Sequence, residues 1–156
     1  MGKFRVRHVF CVDVDTFWNE VFFDDAYNER LYREGLGFRY ELLALEKNDD
    51  GSYDRRVRTA STTNAPAAVR KLVGDEFSYL EVGHFDPRSR RWTYQVTPSA
   101  LPGKISISGE FWAEAKGEKQ LTRIVDTELG VKIFGVGKIL ESYVEKETRE
   151  SYAKAQ

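Results

Sequence analysis

The sequence predicts an α+β fold: a long curved antiparallel sheet of about seven strands wrapped around a C-terminal helix, in one domain over residues 1–156. Three observations predict it. From Phe38 to about Lys132 the chain breaks into consecutive strand-like runs joined by short turns. Parallel strands would need long crossover segments, so such runs pair antiparallel. At the end of the chain, Val136, Ile139, Leu140, Tyr143 and Val144 recur at helical spacing. Between the first strand and the rest, two short acidic-capped segments read as helices.

The elements follow in order. Phe4, Val6, His8 and Phe10 alternate with Lys3, Arg5 and Arg7, the period of a half-buried strand. Asp15 is expected to cap a helix over Thr16–Phe23, and Asp24 or Asp25 a second one through Leu31, with Gly35 and Gly37 ending the pair. A strand then runs from Phe38 to about Glu46, turns at Asn48-Asp49-Asp50-Gly51, and continues in a strand carrying Tyr53, Val57 and Thr59, with Arg56 and Arg58 on the opposite face. Pro66–Gly74 predicts one or two helical turns, with Pro at the first position and Gly at the stop. Phe77–Phe85 and Arg91–Thr97 form a hairpin about Asp86-Pro87-Arg88-Ser89. Ile105, Ile107, Phe111 and Ala113 mark the next strand, Leu121 to about Lys132 the last, and past Glu145 the terminal helix turns charged, with Glu145 and Arg149 in the favourable i,i+4 order.

Composition narrows the function. Apolar residues make up 41% and charged residues 31% of the 156, and 24 basic against 25 acidic side chains leave a net charge of −1. That balance is globular and gives nucleic acid nothing to bind by charge alone. No window approaches the length of apolar run that spans a bilayer, and the N-terminus lacks a signal-peptide core, so a cytoplasmic protein is expected. A single Cys11 excludes an internal disulfide; placed in an apolar strand, it is expected to be a buried, inert thiol. Ten Phe, eight Tyr and three Trp supply large apolar faces, many with a polar tip.

A sheet this long with one apolar face must cover that face, and the terminal helix offers roughly five large apolar residues for the task. One helix cannot fill such a concave side, which leaves either a cavity for an apolar ligand or a core filled by the aromatics themselves. Alternation puts Tyr40, Leu42, Val57, Tyr79, Trp92, Tyr94, Ile107 and Phe111 on the inward face, opposite Val136, Leu140 and Tyr143 of the helix.

The arrangement resembles the START and birch-pollen-allergen superfamily of helix-grip proteins, also called SRPBCC. Locally, Glu128-Leu129-Gly130-Val131-Lys132-Ile133-Phe134-Gly135-Val136-Gly137-Lys138-Ile139-Leu140-Glu141 is similar to the last-strand-to-helix junction of an uncharacterised bacterial START-like family, as is Pro66–Gly74 to that family's short helix. A more distant likeness links the element order to PRELI-type lipid carriers. The resemblance implies binding or transport of a hydrophobic small molecule or lipid. It does not name a ligand, because the same fold serves carriers and cyclases.

Chemistry-bearing motifs are sparse. Gly135-Val136-Gly137-Lys138 lacks the third glycine of a dinucleotide fingerprint, since Leu140 stands there, and lacks the spacing of a P-loop. His8 and Cys11 sit three apart in a strand and face opposite sides; His84 with Asp86 gives two ligands and no metal site. Asp24-Asp25 and Asp49-Asp50 fall where caps and turns favour acids. Glu81 is different. If Tyr79 and Gly83 face inward, it is a buried carboxylate in want of Arg55 or Arg123; if Leu80, Val82 and His84 do, it is solvated. The expectation is therefore a binder with no cofactor, no metal and no assembled catalytic group. Glu81 is added to the pocket residues, and a polyketide-type aromatase/cyclase or a non-catalytic interaction module stand as alternatives. The basic clusters Arg55-Arg56-Arg58 and Arg88-Arg90-Arg91 allow transient contact with a membrane surface.

Overall fold

The computed structural model describes the chain except Met1, Gly37, residues 63–66, 68–69 and 72–75, Pro102, Phe134, Val136 and residues 155–156. Seven strands form one sheet: β1 (Gly2–Phe10), β2 (Arg39–Lys47), β3 (Tyr53–Thr62), β4 (Glu76–Asp86), β5 (Arg91–Pro98), β6 (Ile105–Ala115) and β7 (Leu121–Val131). Their order is β1-β7-β6-β5-β4-β3-β2, and every neighbouring pair is antiparallel. β2 to β7 form a meander, and β1 extends it as an edge strand by pairing with β7 from Gly2↔Leu129 to Phe10↔Leu121. A register shift between Leu42 and Ala44 bends the edge strand β2.

The segment joining β1 to β2 carries the chain from one edge of the sheet to the other as two short helices. α1 covers Val14–Thr16 and runs on with i→i+5 hydrogen bonding over Phe17–Phe22; α2 covers Asp25–Arg30 and runs on likewise over Leu31–Gly35. Asp13, rather than the expected Asp15, caps α1 by accepting from the Thr16 N–H at 2.7 Å. Asp24 caps α2 from the Tyr27 N–H at 2.7 Å. The wide turn brings Phe17 and Phe22, five residues apart, into a stack at 6.2 Å between ring centroids. Around them Trp18, Phe23, Phe85, Trp92 and Phe111 pack ring on ring.

The terminal helix α3 (Gly137–Lys154) lies on the same face of the sheet. Leu140 and Val144 pack against Ile105, Ile107 and Leu129, each worth about 1.5–3 kcal/mol as buried apolar surface. Ile139, expected in the buried stripe, is 47% exposed; it is one residue out of phase with Leu140. Cys11 also departs from expectation: β1 ends at Phe10, so the thiol lies in the following bend and is exposed. The predicted helix over Pro66–Gly74 falls largely outside the described residues; within it Ala67, Arg70 and Lys71 are helical and exposed.

Two strand glycines make room for the aromatics. A Cβ on Gly83 would lie 2.0 Å from the Trp92 ring, and one on Gly109 would lie 2.2 Å from the Asp126 carbonyl oxygen and 2.8 Å from the Tyr94 hydroxyl. The absence of a side chain there lets Trp92 and Tyr94 lie flat across neighbouring strands. Gly83→Ala is therefore expected to destabilise the fold by about 1–3 kcal/mol through overpacking. Val82→Ala, on the exposed face of the same strand, should cost well under that; urea unfolding of the two variants measures the difference.

Candidate functional site

Between the concave face of the sheet and the three helices lies a cavity of about 180 Å³. The sheet contributes Arg55 from β3, Phe77, Tyr79 and Glu81 from β4, Trp92, Tyr94 and Val96 from β5, Ile107 and Phe111 from β6, and Arg123 from β7. The helices contribute Phe17, Val21 and Phe22, then Tyr27, Asn28, Leu31 and Tyr32, and finally Tyr143, Val144, Glu147, Thr148, Ser151 and Tyr152. Its wall is chiefly aromatic and aliphatic, with a few polar groups set into it. An apolar cavity of this order takes up a molecule the size of one aromatic ring.

Of the residues singled out in the sequence, Tyr79, Glu81, Trp92, Tyr94, Ile107, Phe111 and Tyr143 line this cavity. Tyr40, Leu42, Val57 and Leu140 do not, and Val136 lies outside the described residues. Tyr40 stacks on Tyr32 at 4.9 Å and donates its hydroxyl to Asp25 Oδ1 at 3.0 Å, so it ties α2 to the sheet edge. Val57 is buried in the sheet face, and Leu140 is fully buried against β6 and β7. Leu42 is half-buried on the edge strand, next to the register shift. Alternation identifies the inward face but not which of its residues border a void.

Glu81 lines the cavity, which settles the open choice for β4: the face of Tyr79, Glu81, Gly83 and Phe85 is inward, and Val82 and His84 are exposed. His84 instead pairs through Nδ1 with Asp54 Oδ1 at 2.7 Å on the outer face. The basic clusters are also divided. Arg56 and Arg58 are exposed, but Arg55 shares the inward phase of Tyr53, Val57 and Thr59 and is 5% exposed. On the β4–β5 turn, Arg90 pairs with Asp15, and Arg91 with Glu110 at 2.9 Å.

Arg55 and Arg123 are equally buried, and each holds a helix end. Arg55 Nη1 donates to the carbonyl of Phe22, the last residue of the wide turn, at 3.2 Å, and its guanidinium lies 4.5 Å from the Phe22 ring centroid and 4.9 Å from that of Trp92. Arg123 Nη2 donates to the Tyr152 carbonyl near the end of α3 at 2.8 Å, between the rings of Phe10 and Tyr152. Both carbonyls stand at the negative ends of their helices. The Nε of each arginine is buried without a hydrogen-bond partner. The sequence offers both as partners for Glu81, and Arg55 also as part of a basic cluster, yet among the described residues no ion pair joins either to a carboxylate. The signal for their burial was present: each is in phase with apolar neighbours on its strand.

The phenols around the cavity are held neutral. Burial pushes Tyr79 up to about 12, and burial with the nearby Glu147 pushes Tyr143 up to about 12. Burial raises Tyr32 and Tyr152 well above the ordinary phenol value, with Glu81 adding to both. Their hydroxyls are thus available as donors, and Tyr94 already shares a 2.9 Å hydrogen bond with Thr127 Oγ1. Among the described residues no cluster of His, Cys, Asp and Glu is set to hold a metal ion, and no helix is long and apolar enough to cross a membrane.

A curved seven-stranded antiparallel sheet gripping a C-terminal helix over an internal cavity is the helix-grip fold of the START/SRPBCC superfamily. The chain belongs to the family described as "Protein of unknown function (DUF2505)", which it matches over residues 5–156. No curated protein matches it by sequence. Similar solved structures include the Zhui aromatase/cyclase from Streptomyces sp. R1128, with 15% identity over 98% of this chain and 92% of that one, at a TM-score of 0.62. A START superfamily protein from Mycobacterium smegmatis has 14% identity, 98% and 92% coverage and a TM-score of 0.59. Norcoclaurine synthase from Thalictrum flavum has 14% identity, 99% and 85% coverage and a TM-score of 0.57. At these identities the likeness is one of fold.

His8 provides a check on the arginine geometry. Arg123 Nη2 lies 3.2 Å from His8 Nδ1; a guanidinium only donates, so Nδ1 accepts and the ring is neutral. Burial lowers the pKa of His8, and the Arg123 charge lowers it further. The unfolded chain therefore binds this proton more readily, so the stability contribution is full above about pH 6.5 and is lost as pH falls through the depressed folded value. NMR should find His8 titrating below the ordinary imidazole value of about 6.5, and His8→Gln should flatten the loss of urea stability between pH 7 and pH 5.

Proposed function

We propose that the protein binds an apolar small molecule or lipid in the cavity between sheet and α3 and acts as a carrier or receptor for it. The single observation that carries this reading is the cavity itself: about 180 Å³, walled largely by aromatic rings, in a core that otherwise packs ring on ring. Protein interiors are close-packed, and an apolar void forfeits dispersion contacts that a bound molecule restores. Neutral tyrosine hydroxyls and two arginines supply orientation for the polar end of such a ligand. A cytoplasmic site of action suits the exposed free thiol of Cys11. The turn of β4 and β5 favours membrane contact less than its sequence suggests, because Arg90 and Arg91 are compensated by Asp15 and Glu110.

A second reading, cyclisation of a polyketide-like substrate, rests on Glu81, a carboxylate inside the cavity beside Tyr79 and Tyr94. Aromatase/cyclases among the similar structures make that chemistry a natural alternative for the fold. It requires Glu81 to act as an acid or base on the ligand, whereas a carrier requires only that the pocket fill.

The folded protein is expected to bind toluene, one ring for a cavity of this size, in a calorimetric titration, and to release it to competing single-ring apolar molecules. Tyr79→Trp, which adds bulk at the wall, should weaken toluene binding several-fold with the protein still folded. Absence of binding by any single-ring apolar probe to the folded protein would sink the binding proposal. Glu81→Gln should leave toluene binding in place; loss of turnover on a polyketide-type substrate in that variant would favour the cyclase.

A further inference from the structure

The charges in the cavity wall are not evenly matched. Arg55 lies opposite Gly83 on β4, so Glu81, two residues along the same face, is its diagonal neighbour, within reach of long side chains. Arg55 thus has a carboxylate on the facing strand, though no ion pair joins the two. Glu147 lies on the half-exposed side of α3, toward Tyr143, whose hydroxyl feels its charge. Arg123 has no such neighbour. Its cross-strand partners are His8 on β1 and Ala113 on β6. Its diagonal and same-strand neighbours on the inward face are Val6, Phe10, Phe111, Ala115, Leu121 and Val125.

Arg123 is 5% exposed and its hydrogen bonds go to neutral acceptors, the Tyr152 carbonyl and His8 Nδ1, both from Nη2. A guanidinium carries five N–H donors over three nitrogens. Nε has no partner, and no described residue accepts from Nη1. The negative end of α3 offsets part of the charge, but a full buried cation without an anion is costly, and the usual remedy is a carboxylate at hydrogen-bond distance. Burial pulls the pKa of Arg123 down from its ordinary value, as for a cation held where water is scarce.

We infer that the ligand of this cavity is an apolar molecule bearing a carboxylate, and that Arg123 is the group that receives the carboxylate while the aromatic wall takes the body. The inference rests on the proposed binding function and specifies its ligand class. A carboxylate fits better than a phosphate because one uncompensated guanidinium matches one negative charge; the second charge of a phosphate monoester would face Glu81 across the same cavity. Tyrosine hydroxyls held protonated by burial add donors, not competing anions, around the head group.

Calorimetric titration with three probes of one shape, 3-phenylpropionate, 3-phenylpropanol and 3-phenylpropylamine, tests this. The acid should bind about tenfold or more tightly than the alcohol, as expected for a charge-assisted hydrogen bond, and the amine most weakly. In Arg123→Gln the acid-to-alcohol ratio should fall toward one; if that variant does not fold, Arg123→Lys, which keeps the charge but loses the fork, should lower the ratio partway. Alcohol binding equal to acid binding in the unaltered protein overturns the carboxylate assignment and leaves the cavity as a binding site. An unchanged ratio in folded Arg123→Gln removes Arg123 from the role, and tighter binding of phenyl phosphate than of the acid replaces carboxylate by phosphate. Failure of all three probes to bind overturns the cavity reading along with this one.

Discussion

Everything in this fold answers to one constraint: the concave face of a seven-stranded sheet is larger than its 18-residue helix can cover. α3 seals one part with Leu140 and Val144 against β6 and β7. Another is sealed by the aromatic plug of α1, where i→i+5 bonding sets Phe17, Trp18 and Phe22 against Phe85, Trp92 and Phe111. What neither plug reaches is the cavity. The site is thus the remainder of a packing problem, and its walls are the same side chains that hold the domain together.

Helices that cover a sheet must also end over it, and their last carbonyls need donors in a place where water is scarce. Arg55 and Arg123 supply them at Phe22 and Tyr152. Each guanidinium stacks on aromatic rings and gives up part of its hydration to do so. The structural role therefore brings positive charge to the border of an apolar void, and Glu81 is a cross-strand neighbour of only one of the two. Structure and recognition share these residues, so a variant at either arginine must be judged by ligand preference as well as by stability.

The outer face of the sheet works differently. Arg5 and Asp126 form a two-point ion pair across β1 and β7, at 2.5 and 2.8 Å. Arg5 and Arg91 both lie over the ring of Trp112. These contacts cover apolar surface with long polar side chains and leave the charges in solvent, where each pair adds little stability. The concave face carries the apolar void, and the outer face carries its polar groups in local pairs.

The order of elements, the antiparallel pairing and the inward phase of most strands were legible from the sequence, because period two and short turns are properties of the local chain. The same logic reached six of the cavity's residues, Tyr79, Trp92, Tyr94, Ile107, Phe111 and Tyr143. It also placed Tyr40, Leu42, Val57 and Leu140 at a pocket they do not border, since phase tells which way a side chain points and not what stands opposite it. The caps shifted by two residues at Asp13, and Cys11 proved exposed, because element ends depend on local hydrogen bonds that composition alone does not rank. Tertiary structure decided the rest: that Glu81 faces the void, that α1 and α2 supply part of its wall, and that Arg55 and Arg123 turn inward. A charged residue in phase with an apolar face is an unstable placement until a helix carbonyl arrives to meet it, and that carbonyl comes from a segment 33 residues away in one case and 29 in the other. Such a meeting belongs to the folded chain and not to any window of its sequence.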